Sequence, residues 1–122
     1  MSLASYTIKK QTNGSGSWST GLALSGTLAT GSKFVIVNSS ISSSCYSTSA
    51  ANISTTATEM AFNGNDPIGL FKNGVLIDII GTFNGGTANF GADVTLRRKS
   101  TVTSPSTTFN LSAQWDSFSQ DT

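Results

Sequence analysis

Short apolar segments separated by Gly, Ser, Thr and Asn run along the whole chain, at the spacing of an all-β protein. The stretch "ASYTIKKQ" sets Tyr6 and Ile8 against Thr7 and Lys9, and it breaks at "TNGSGS". In "WSTGLALSG", Leu22 and Leu24 share one face. "LATGSKFVIVNSS" is a turn around Gly31 followed by an unbroken apolar run, Phe34 to Val37, which predicts a central strand. The polar, low-complexity stretch 39–58 predicts a long surface crossover with a short helical turn, pinned by Ile41, Tyr46 and Ile53. "DVTLRRKS" alternates Val94 and Leu96 against Thr95 and Arg97, and the tail carries Trp115 and Phe118. No internal repeat and no second domain is visible.

The strongest local signal is Asn73-Gly74, because both central residues of a type I′ hairpin turn need φ > 0. With that pair as the loop, Lys72 faces Val75, Phe71 faces Leu76, Leu70 faces Ile77, Gly69 faces Asp78 and Ile68 faces Ile79. Ile68, Leu70, Val75, Ile77 and Ile79 then form a core face. Asp78 falls on the outer face opposite a glycine, as a solvated residue that discourages wrong pairing. A slip of one position would carry Asp78 into the apolar set. Ahead of the hairpin, Asn63-Gly64-Asn65-Asp66-Pro67 has the composition of a turn, since Asn and Asp close local loops and Pro fixes φ.

Composition narrows the function. Of the 122 residues, 38 are Ser or Thr, while only 11% are charged and one is Glu. Hydroxyls thus supply most of the solvated surface, a habit that suits exported β-proteins, and a secreted or cell-surface location is expected. At 122 residues the chain is one domain, residues 4–122, large enough for a core without metals or disulfides. Met1-Ser2-Leu3 reads as an expression leader. A net charge of +1 carries no overall basic excess for nucleic acid. The single Cys45 cannot close an intrachain disulfide, and no run is apolar enough to span a membrane.

Candidate chemistry is sparse. The chain has no His, which removes the Ser-His-Asp and Cys-His arrangements and the commonest transition-metal ligand. Asp78 as a catalytic acid, paired with Asp66 or Asp93, stands against its reading as a solvated strand residue. Asn63, Asn65 and Asp66 could hold a cation, yet the loop lacks the alternating oxygen ligands and final Glu of a calcium site. Arg97, Arg98 and Lys99 are the one basic cluster: either a solvated strand end with one Arg stem on an aromatic, or a patch for phosphate or an acidic polymer. Arg97 and Lys99 share a face and Arg98 points the other way. Trp18, among Gly and Ser, is the best candidate for an exposed, sugar-stacking aromatic, whereas Trp115 closes the bottom of the core. "TFNGGTANFG" reads as a flexible connection; it has no Lys and no following helix, so it is not a phosphate loop. No cofactor is expected.

Taken together, "FNGNDPIGLFKNGVLIDIIG", "DVTLRRKS" and "WDSFSQDT" resemble the lamin tail domain, in particular its branch in secreted proteins of the Bacteroidetes. "SYTIKKQTNGSGSW", "LSGTLATGSKFVIVNSS" and Trp115-Asp116 fall in the order the resemblance requires, so it covers nearly the whole chain. It implies an immunoglobulin-like β-sandwich serving as a non-catalytic accessory or interaction module in a multidomain exported protein. Some such modules sit beside nucleases or other hydrolases. The family brings no catalytic constellation. Its members usually have a further strand before the position of Ser5-Tyr6, and that strand is missing here. An unpaired sheet edge is therefore expected, and with it a homodimer formed through that edge or by strand exchange. Neighbouring domains of the same polypeptide are the expected partners. A carbohydrate-binding module, or a weak nucleic-acid-binding module attached to a secreted nuclease, is the alternative.

Overall fold

In the computed structural model, which describes residues 1–122, 30% of the chain is strand and 11% helical. The β-rich expectation holds. The strands are β1 (Tyr6–Lys10), β2 (Leu22–Ala23), β3 (Ile36–Asn38), β4 (Ile53–Thr55), β5 (Ile68–Lys72), β6 (Val75–Ile80), β7 (Val94–Arg98) and β8 (Trp115–Ser119). A single helical turn, α1 (Leu111–Gln114), precedes β8, and Asn110 caps it by accepting the Ala113 amide. They assemble into an antiparallel sheet of order β2-β1-β5-β6, a parallel pair β3-β4 and an antiparallel ribbon β7-β8.

The Asn73-Gly74 turn forms as its sequence requires, with φ of 51° and 77°. The register beyond it differs from the continuous ladder. Lys72 pairs with Val75 and Phe71 with Leu76, but the ladder then shifts, so that Leu70 faces Asp78, Gly69 faces Ile79 and Ile68 faces Ile80. Ile77 is the extra residue of a β-bulge. The bulge inverts the second half of β6, and Asp78 joins the face of Ile8, Ile68, Leu70 and Ile80. Ile79 moves to the opposite face, where it is 4% exposed beside Phe71 at 6%, while Val75 stands out at 63%. The reason is that both faces of the sheet are covered, so an apolar residue gains by burial on either side.

On the face of Phe71 and Ile79, Trp18 packs across the sheet edge-on to Phe71. Gly69 permits this, since a Cβ there would lie 3.2 Å from the Trp18 ring and 2.7 Å from Leu76 Cδ1. On the other face lies the β7-β8 ribbon, with Arg98 and Trp115 directed at the sheet. The core is thin: 13 of 122 residues are buried, and only five of those are large hydrophobics.

Two further segments differ from expectation. Phe34 to Val37 does not make a central strand. Only Ile36–Asn38 is extended, and it pairs with β4 alone, because Asn52 clamps Val35 through its side chain and its amide. Stretch 39–58 contains the short helical turn, at Thr48–Ala50, but also β4. At the start of the chain Leu3 is buried and Ser2 bridges Thr27, while Met1 is exposed.

Candidate functional site

A charged pair with several polar partners lies where the ribbon meets the sheet. Arg98 alternates inward on β7 and its Nη1 donates to both Asp78 oxygens, at 2.9 and 2.8 Å. Asp78 Oδ1 also accepts the amides of Ile79 at 3.0 Å and Ser106 at 3.1 Å. Ser106 returns its carbonyl to the Ile79 amide at 3.1 Å, which ties segment 104–106 to the outer edge of β6. The guanidinium lies over the Trp115 ring, 4.9 Å from its centroid. Arg98 Nε and Nη2 and the indole Nε1 of Trp115 are buried and have no acceptor. A cavity of about 150 Å³ opens among Asp78, Arg98, Trp115 and the aliphatic side chains of β1, β5 and β6.

Asp78 is therefore not a solvated outer-face residue, since it turns inward and holds Arg98. Its nearest charged neighbour is the Arg98 guanidinium, and its side chain is 25% exposed. No group of three or more His, Cys, Asp or Glu residues that could hold a metal ion forms in the chain.

The basic cluster is divided by the strand alternation, as its sequence predicts. Arg98 turns in to Asp78, Arg97 lies 5.0 Å over the Phe118 ring on the outer face, and Lys99 pairs with Asp116 at 2.6 Å. Two of the three charges are thus met by carboxylates, and no concentrated patch results.

Asn63, Asn65 and Asp66 do come together, but as a turn. The Asp66 carboxylate, 5% exposed, accepts the Asn13 amide at 2.8 Å and the Asn63 amide at 3.1 Å, one on each oxygen. Asn65 Nδ2 donates to the Thr87 carbonyl at 3.2 Å, and its Oδ1 is buried without a partner. Both Asp66 oxygens are engaged with main-chain amides, which is the chemistry of a loop clamp.

Trp18 is half-buried rather than exposed. Its ring stacks on Phe83 at 5.0 Å between centroids and 22° between planes. Each ring covers a face of the other, so the pair is not the side-by-side platform that a sugar needs. Loop 82–91, read as a flexible connection, is tied down: Asn84 exchanges two hydrogen bonds of 2.8 Å with the Gln11 side chain, and Phe90 donates to the Gly64 carbonyl at 2.9 Å.

Gln11 and Ser106 carry structural weight that the sequence did not announce. Gln11 is fully buried and also donates to the Gly16 carbonyl at 2.7 Å, so it links the loop after β1 to loop 82–91. Its only sequence signal is a polar residue ending an alternating strand, which is too common to be read. Comparison with family models, with curated proteins and with solved structures finds no match to this chain.

Proposed function

We propose that this chain is a non-catalytic accessory module of lamin-tail type, built as an immunoglobulin-like sandwich and working within an exported multidomain bacterial protein by binding or spacing its neighbours. The reading rests on the resemblance of its motifs and on two layers, the four-stranded sheet and the ribbon, meeting through Asp78, Arg98 and Trp115. One observation carries the non-catalytic part: the two carboxylates best placed for chemistry, Asp66 and Asp78, are both engaged in holding main-chain amides and an arginine. A nucleophile or proton donor must be free to change partners during a reaction, and these groups lose fold contacts if they do.

The test is to assay the protein against glycoside, phosphodiester and ester substrates, beside Asp66→Asn and Asp78→Asn variants. No turnover above a blank is the expected result. Turnover that Asp78→Asn abolishes while the fold survives would sink the module reading. The carbohydrate-binding alternative has less behind it, because Trp18 and Phe83 cover each other. The nucleic-acid alternative is weakened by the pairing of Arg98 and Lys99 with carboxylates.

A further inference from the structure

We propose that the groove between the four-stranded sheet and the β7-β8 ribbon receives an extended strand from another polypeptide, one that alternates apolar residues and docks a carboxylate on Arg98. The inference rests on the reading of the chain as a binding module and names what that module would take.

Two cavities, of about 150 and 250 Å³, lie along the groove and share Ile68 and Ile80; Arg98 and Trp115 of the ribbon line the first, and Val94 and Leu96 the second. β7 and β8 hydrogen-bond only to each other among strands, leaving their outer main-chain groups open to a further one. A two-stranded ribbon is marginal by itself, and an added strand is the ordinary way to complete it. The chain exposes 7217 Å², whereas a compact protein of its 12.6 kDa mass should expose roughly 6,200 Å². The surplus of about 1,000 Å² is near the ~800 Å² that one partner gives to a stable interface.

The charge of the occupant follows from Arg98. Its Nη1 is used by Asp78, but the Nε–Nη2 edge, whose two parallel N–H bonds match a carboxylate, has no acceptor, and neither has Trp115 Nε1 beside it. A second copy of the chain is poorly equipped to supply that acceptor. Asp66, Asp78 and Asp116 are already engaged, and Glu59 is 4% exposed within a short turn. Asp93 and Asp121 have φ of 53° and 61°, outside any extended strand. A different polypeptide therefore fits better. The guanidinium lies 4.9 Å from the Trp115 ring centroid, so a carboxylate arriving on its free edge alters the surroundings of the indole, which reports it.

The test uses the full chain carrying Trp18→Phe, which leaves Trp115 as the sole tryptophan. The probe is a blocked nine-residue peptide of alternating valine and threonine around a central glutamate, with a glutamine version as control. A saturable change in Trp115 emission is expected with the glutamate peptide. Binding should weaken about tenfold or more with the glutamine peptide, and equally with Arg98→Lys, which keeps the charge opposite Asp78 but loses the fork. Equal binding of both peptides would overturn the carboxylate dock. No binding by about 1 mM peptide would overturn the strand itself, since that limit is already a weak affinity. A dimer in sedimentation that the peptide fails to dissociate would give the groove to a second copy. None of these outcomes bears on substrate turnover, so the module reading stands or falls separately.

Discussion

Asp66 and Asp78 lie on either side of the same hairpin strand and are held in opposite ways. Asp66 is met by main-chain amides at Asn63, three residues away, and at Asn13, and every group it touches belongs to a loop. Asp78 accepts the neighbouring Ile79 amide as well, but it is also met by a charged side chain 20 residues on and by an amide 28 residues on. The first carboxylate closes a turn. The second joins two layers, and it can do so only because a bulge delivers it to the inner face. A carboxylate on neutral amides has little reason to exchange partners, whereas one paired with a half-used arginine leaves donors over for something else.

Substitutions can break that contrast. Asp66→Ala should cost most, about 3 kcal/mol of unfolding free energy in a denaturant titration, because two amides lose their acceptor at a site 5% exposed. Asp78→Ala should cost less, about 2 kcal/mol, since the Asp78 and Arg98 side chains are 25% and 23% exposed and water can replace part of the lost contact. A cycle adding Arg98→Met should return a coupling of about 1 kcal/mol for Asp78 and none for Asp66; equal coupling to both would erase the distinction. Gly69→Ala tests the face opposite Asp78. Its Cβ would meet only side-chain ends, Leu76 Cδ1 at 2.7 Å and Phe71 Cε1 at 2.9 Å, so about 1 kcal/mol is expected, with a change in Trp18 emission. Lys99→Ala removes the exposed pair with Asp116 and should lower the unfolding free energy by about 0.5 kcal/mol or less, an effect that ~1 M salt abolishes.

Much of the local structure was legible. Asn73-Gly74 gives the turn because few residues tolerate φ > 0, and Asn63 to Pro67 gives a loop because its side chains can bond their own backbone. The alternation of β7 correctly separates Arg98 from Arg97 and Lys99. The candidate site was less visible. Trp115 and Arg98 stood out singly, but nothing near Asp78 in the chain says that Arg98 will reach it. Trp18 was misread because its cover, Phe83, comes from a loop 65 positions later. Gln11 was invisible for the same reason.

The sequence by itself determined the β character, the position of the hairpin and the side each residue of β7 takes, because those depend on backbone preference and on a period of two. Tertiary structure alone decided the bulge at Ile77. Either register buries several aliphatic residues along β6, so the local energies are close. The choice falls to distant groups: Phe71 and Trp18, which cover Ile79's face, and Arg98 with Ser106, which make a place for the carboxylate of Asp78.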